Sequence, residues 1–194
     1  MLSIPQGRYT PSPAPSVSGV LEHGMTTRNA EIVLKETDLI VSKTDLGGYI
    51  TYANRTFMRV SGYRLPDLLG EPHNIVRHPD MPRGIFLHLW QTIQSGRECF
   101  AFVKNQAADG AFYWVRANVT PDVDSHGTVR GYHSARRKPN PEVLRSTIIP
   151  LYQEMRRVEA PLPAAQAAEV SLTFLKDKMA AQGTDYENFI LTLT

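Results

Sequence analysis

The chain has 194 residues, of which 42% are hydrophobic and 21% charged, and its formal net charge is +2. This length accommodates one domain of ordinary size with extensions. The positive charge is too weak to indicate a nucleic-acid partner, because phosphate binding needs clustered lysine and arginine. The basic cluster at residues 136–138 falls where a strand is expected to end, and we interpret it as a solvated strand end.

Cysteine content and hydropathy limit the environment of the protein. The single cysteine, Cys99, excludes an intramolecular disulfide and any multi-cysteine metal site. No segment approaches the ~20 apolar residues that span a bilayer. The Pro/Ser-rich N-terminus lacks the charged-then-apolar order of a signal peptide. We therefore expect a cytoplasmic protein without a membrane span.

Residues 1–30 are rich in proline, serine and glycine and show no hydrophobic period. Such a segment cannot bury enough apolar surface to offset the entropy of ordering, so we expect a mostly disordered tail.

The ordered body opens with a predicted β-hairpin. Two β-prone runs, residues 39–44 and 49–53, flank a turn with two glycines. Asn54 is a good N-cap for a short helix that Gly62 ends. A second short helix around Pro66 is expected to end at Gly70.

A polar segment, residues 71–82, precedes the clearest helix of the chain, which is predicted for residues 83–95. Gly96 terminates this helix. Its apolar residues recur at helical spacing: Ile85, Phe86, Leu89, Trp90 and Ile93.

The next three β-prone runs, residues 100–105, 112–120 and 129–136, predict an antiparallel meander. Asp109-Gly110 supplies the first hairpin turn. The order is two strands, short helices and three strands, which is typical of an α+β domain with helices on one face of an antiparallel sheet.

Helical character returns after Pro139. An apolar stripe runs through residues 143–155, where Pro150 is expected to break or kink the helix. A proline-rich linker at residues 160–163 precedes an alanine-rich helix over residues 164–182. These stripes pack either on the domain's own sheet or against a dimer partner or another protein, and the sequence leaves both open.

The element order and the local sequences together resemble a known family. The stretches TDLGGYITYANRTFMRVSGYRLPDLLGEPHNIVRHPDMP, LWQTIQSGR, VKNQAADGAFYWVRANVTP and GYHSARRKP are similar to the PAS domain of the bacterial aerotaxis-receptor family. The most specific part is residues 74–82. The resemblance implies an α+β PAS fold over residues 31–139, with a five-stranded antiparallel sheet and short helices on one face. A C-terminal helical extension covers residues 140–194.

The resemblance also implies FAD, bound non-covalently between helices and sheet and used to report redox state or oxygen-linked respiration. The positions carried over by motif are Arg77, His78, Asp80 and Trp90. Their location adds Asn74, Asn105 and Asn118 as further candidates.

The residue chemistry is compatible with this expectation but allows simpler interpretations. A flavin needs an apolar slot, polar groups at the ring edge and cations for its pyrophosphate. Trp90 could stack on the ring or pack in the core, and Arg77 could bind phosphate or pair with Asp80. Asn105 and Asn118 could bond the ring edge if they point inward, where an unsatisfied amide is costly.

Other cofactors follow from the same segment. His73, His78 or His88 could ligate haem, as in some PAS domains, and spacing does not separate FAD from FMN. The light-sensing flavin variant requires a reactive cysteine in an Asn-Cys-Arg motif. Cys99 lies instead at the start of a strand without that motif.

We expect a sensor rather than an enzyme, because no catalytic motif or phosphate loop is present. The output is then a contact with a homodimer partner or a separate signalling protein. Aerotaxis receptors continue into membrane and signalling segments that this sequence lacks, so chemotaxis itself is not implied. The alternative is a cofactor-free PAS interaction module.

Overall fold

A computed structural model describes residues 29–193 of the chain. Five antiparallel strands form one sheet in the order β2-β1-β5-β4-β3. The strands are β1 (Ile40–Thr44), β2 (Ile50–Ala53), β3 (Cys99–Gln106), β4 (Phe112–Val123) and β5 (Val129–Arg137). The predicted hairpin and the predicted three-stranded meander are both confirmed. Most of the predicted tail, residues 1–28, lies outside the described residues.

Short helices connect β2 to β3. They are α1 (Arg55–Ser61), α2 (Leu65–Leu68), a 3₁₀ turn (His73–Val76) and α3 (Arg83–Gln94). Asn54 caps α1 as predicted, since its side-chain oxygen accepts the amide of Phe57 at 2.9 Å. Gly62 ends α1 in the left-handed conformation, with φ of 73°.

The two faces of the sheet carry different neighbours. Arg136 of β5 pairs with Ile40 of β1 and Ala117 of β4, and it faces α1, where it meets Phe57. Side chains alternate along a strand, so Phe102 and Trp114 point to the opposite face. We call the helix-covered side the inner face, the space between it and the helices the cleft, and the other side the outer face.

A continuous helical segment crosses the outer face. It comprises α4 (Pro141–Val143), a π-helical turn (Leu144–Ile148) and α5 (Ile149–Glu159). Pro150 does not break the segment; the π-helical turn ends two residues before it, and such turns are local departures from α-helical geometry. The Tyr152 hydroxyl donates to the carbonyl of Phe102 at 2.8 Å, and its ring packs on Trp114.

The last helices are α6 (Ala164–Ala180) and α7 (Tyr186–Thr192), and α6 packs on α3 and α5. Gly84 permits close approach of α3 to α6, because a Cβ there would lie 2.7 Å from the backbone nitrogen of Leu172. Of the two alternatives for the C-terminal stripes, packing on the chain's own domain is thus observed. None of the helices within residues 29–193 is long and apolar enough to cross a membrane.

Candidate functional site

The interior of the cleft holds a buried arginine. Arg136 is 2% exposed, and its guanidinium lies 4.5 Å from the centre of the Phe57 ring. Nη2 donates a hydrogen bond to the Ser42 hydroxyl. Nε and Nη1 are buried without a hydrogen-bond partner. Unpaired buried donors are costly, so this position suits a ligand that accepts hydrogen bonds.

The interpretation of residues 136–138 as a solvated strand end is wrong for Arg136. Neighbouring side chains on β5 point to opposite faces, so Arg137 is exposed whereas Arg136 is buried. Burial lowers the pKa of Arg136 to about 10, which leaves the guanidinium protonated at neutral pH. The cleft therefore contains a buried positive charge.

His73 lies beside this charge in the 3₁₀ turn. Its Nε2 is 3.0 Å from the Ser42 hydroxyl, and its ring stacks on Phe57 at 5.8 Å between centres. Burial, followed by the charge of Arg136, lowers the pKa of His73 to about 3. The imidazole is consequently neutral at physiological pH.

The two strand asparagines lie on different faces. Asn105 is 4% exposed, sits opposite Tyr113 on the inner face, and belongs to a strand that bridges to Arg77. Asn118 follows Ala117, the partner of Arg136, and so lies on the outer face. Its amide donates to Glu98 at 2.9 Å. Asn105 thus points inward as the flavin hypothesis requires, and Asn118 does not.

Arg77 directly follows the 3₁₀ turn, and its guanidinium is 3.8 Å from the centre of the Phe86 ring in the first half of α3. Burial, helped by the nearby positive charge of Arg83, lowers the pKa of Arg77 to about 10. The alternative in which Arg77 pairs with Asp80 is wrong, because Asp80 pairs with Lys104 at 2.7 Å.

His78 and Asp80 lie outside the cleft interior, near the end of β3. The Asp80 side chain is 64% exposed. His78 is buried; its Nδ1 accepts the backbone amide of Asp80 at 3.1 Å, and its ring meets Phe112 edge-on. Burial and the charge of Lys104 lower the pKa of His78. These contacts hold the loop before α3 in place.

Trp90 lies in the second half of α3. Its ring meets Tyr132 of β5 edge-on, with centres 5.6 Å apart, and approaches the backbone of Gly48. Cys99 is buried in the same apolar cluster, and burial raises the pKa of its thiol to about 12. This part of the cleft is apolar and carries a protonated thiol.

The predicted candidates therefore do not converge on one point. Asn74 is exposed on the 3₁₀ turn, and His88 packs on Tyr186 beside Glu187. Within residues 29–193 there is no group of three or more metal-ligating side chains. The structure assembles a polar cluster that the sequence analysis did not predict as a set: the buried Ser42 and Arg136 and the half-buried His73. Strand alternation at residues 136 and 137 was the available signal.

Comparison with known proteins identifies the fold family. The family model described as PAS fold matches residues 50–136. These residues form a PAS domain. The chain is 44% identical over 122 residues to the aerotaxis receptor of Escherichia coli K12, covering 63% of this chain and 24% of the receptor. It is 31% identical over 105 residues to a nitrogen fixation regulatory protein of Klebsiella pneumoniae, covering 54% of this chain and 21% of that protein.

Solved structures share the PAS architecture at low identity. A light-oxygen-voltage domain studied with a flavin analogue superimposes with a TM-score of 0.51 at 19% identity, covering 60% of this chain and 87% of that one. The dark structure of the Aureochrome1 blue-light photoreceptor domain gives 0.50 at 20% identity, covering 70% and 99%. At these identities the likeness concerns the fold alone. The chain spans about a quarter of the length of the aerotaxis receptor.

Proposed function

We propose that this PAS protein is a cytoplasmic sensor that binds FAD non-covalently and signals redox state through a protein–protein contact, without catalysing a reaction. The resemblance to the aerotaxis-receptor PAS domain, strongest at residues 74–82, supports a flavin. The structural observation that carries the proposal is Arg136, a buried cation with two unpaired donors in the cleft.

The side chains of the cleft suit a flat heteroaromatic ligand. Phe57 offers a ring face, and Arg136, Ser42 and Asn105 offer polar groups on the inner face of the sheet. Flavin sites combine an apolar slot with a few polar groups at the ring edge. His73 now stacks on Phe57, so a ring bound against Phe57 would take the place of that contact. The bound FAD would supply reversible uptake of electrons.

The C-terminal helices provide a route for the signal. The carboxylate of Glu159, at the end of α5, accepts the backbone amides of Arg83 and Gly84 at the start of α3. Because α3 also carries Trp90, a change in the cleft that moves α3 would alter how the C-terminal helices are held. The receiver of that change would be a homodimer partner or a separate signalling protein.

Titration of the purified chain tests the proposal. The cofactor-stripped protein is mixed with FAD, FMN, riboflavin or haem, and binding is followed by flavin fluorescence quenching or haem absorption. The proposal expects saturable binding of FAD with one site per chain. Haem binding with a Soret band, or no binding of any flavin, would overturn it.

A second candidate is a cofactor-free PAS interaction module. It is favoured by the present packing of the cleft, in which Phe57, His73 and Arg136 contact one another. This alternative is supported if none of the added flavins binds and the protein still associates with itself or with a partner.

A further inference from the structure

We infer that Arg136 binds the electron-rich edge of the flavin ring and makes the cleft favour a ring that carries negative charge. This inference rests on the proposed function and adds to it the charge state that the site selects. Two donors of Arg136, Nε and Nη1, are unpaired, and Nη2 binds Ser42. A planar guanidinium holds its N–H donors in fixed directions, so Nε and Nη1 can each bind an oxygen or nitrogen acceptor that lies in its plane.

The surroundings of Arg136 supply no compensating negative charge. Among the residues described, 29–193, no carboxylate lies within ion-pair distance of its guanidinium. The neighbouring titratable groups are neutral: His73 has a lowered pKa, and burial raises that of Tyr113. Because a buried charge without a partner is strongly unfavourable, a ligand is the natural source of the opposite charge.

The position of Arg136 favours the ring over the phosphates of the cofactor. Arg136 lies on an interior strand that is paired on both sides, and its guanidinium is stacked on Phe57. A multiply charged, strongly hydrated pyrophosphate would pay a large desolvation cost at this depth. A flavin ring has an apolar body and a polar edge, which match an aromatic face next to a single cation.

The consequence is a shift in redox equilibrium. Two electrons from an external reductant and one proton from the solvent convert the neutral oxidised ring into a reduced ring with one negative charge. A fixed buried cation stabilises the charged form more than the neutral one. Arg136 therefore raises the midpoint potential of the bound flavin.

The experiment compares the full chain with Arg136→Gln, Arg136→Lys and Arg137→Gln. Arg137 is the exposed neighbour on the same strand, so Arg137→Gln matches the charge change outside the cleft. Anaerobic dithionite titration with a reference dye gives the midpoint potential, and fluorescence titration gives the affinities for riboflavin, FMN and FAD. We expect Arg136→Gln to disfavour the reduced form about tenfold, which is ~30 mV for a two-electron couple. The midpoint potential of Arg136→Lys should lie between those of Arg136→Gln and the unsubstituted protein. Arg137→Gln should have the midpoint potential of the unsubstituted protein.

Three outcomes would overturn the inference and leave flavin binding intact. They are an unchanged potential in Arg136→Gln, an equal shift in Arg137→Gln, or a loss of affinity confined to FMN and FAD, which would assign Arg136 to phosphate. If the unsubstituted protein binds no flavin, the proposed function itself fails.

A measurement on the unsubstituted protein keeps the inference testable if Arg136→Gln does not fold. Uptake of one proton with two electrons makes the potential fall by ~30 mV per pH unit, and uptake of two protons doubles that slope. Between pH 5 and 6 the bound flavin should show the smaller slope while free flavin, measured alongside, shows a steeper one. The doubled slope in the protein would contradict an anionic reduced ring.

Discussion

The Oε1 atom of Glu159 lies 2.6 Å from the backbone nitrogen of Arg83, so the end of α5 caps the start of α3. Glu159 is 4% exposed, and its Oε1 also lies 3.3 Å from the amide of Gly84. A carboxylate at a helix N-terminus satisfies free amides and interacts favourably with the helix dipole. This contact ties the C-terminal helices to the helix that borders the cleft.

Removing the carboxylate should weaken that connection. We expect Glu159→Ala to lower the free energy of unfolding by about 1–3 kcal/mol, because buried helix amides lose a charged acceptor. Chemical denaturation measures the change, and Glu169→Gln, an exposed glutamate on α6, serves as the control. Equal stability of Glu159→Ala and the control would show that the cap does not hold the helices together.

Gly84 should be sensitive to the smallest substitution. In Gly84→Ala the new Cβ would lie 2.7 Å from both the Leu172 nitrogen and the Ser171 hydroxyl oxygen, which forces α3 and α6 apart. We expect a loss of about 1–3 kcal/mol of stability, although alanine ordinarily favours a helix. Gln94→Ala, at the exposed end of α3, should be close to neutral. A stabilised Gly84→Ala would contradict the close packing of these helices.

His73 should make stability depend on pH. Its pKa in the folded state is about 3, below the ordinary value of 6.5, so the unfolded chain binds the proton first as pH falls. The contribution of neutral His73 to the free energy of unfolding is complete above pH 6.5. It is lost as the pH falls from 6.5 to about 3, at up to about 1.4 kcal/mol per pH unit. His73→Asn should flatten this part of the denaturation profile. If the free energy of unfolding of His73→Asn has the same dependence on pH, another group causes that dependence.

Trp90 and Trp114 offer a matched pair for locating the cofactor. Trp90 faces Tyr132 beside the cleft, whereas Trp114 packs on Tyr152 at the outer face. We expect Trp90→Phe to weaken FAD binding about tenfold, a cost of ~1.4 kcal/mol, with little effect on the unfolding temperature. Trp114→Phe should leave FAD affinity unchanged. If Trp114→Phe weakens FAD binding and Trp90→Phe does not, the flavin binds at the outer face of the sheet.

Local sequence patterns predicted the elements within the PAS domain because their determinants are close in the chain. Asn54 and Gly62 bracket α1, and Asp109-Gly110 joins the strands β3 and β4. The cap of Glu159 on Arg83 joins residues 76 positions apart, so no local pattern specifies it. Packing of the C-terminal helices on the sheet was for that reason only one of two open alternatives.

The candidate site was harder to predict than the fold. Arg136 was interpreted as a surface residue because charged side chains are rarely buried without a partner. Asn118 was a candidate by location, but a single residue's shift along a strand reverses the face to which it points. The positions taken from the resemblance, Arg77, His78, Asp80 and Trp90, lie at separate places in the structure, and their contact with a flavin stays a prediction.

The most direct test of the central claim is the absorption spectrum of the chain as purified, with the mass of any molecule released on denaturation. A yellow protein with a band near 450 nm that releases a molecule with the mass of FAD is the result we expect. A colourless protein that releases no flavin and stays colourless after incubation with FAD would contradict the account.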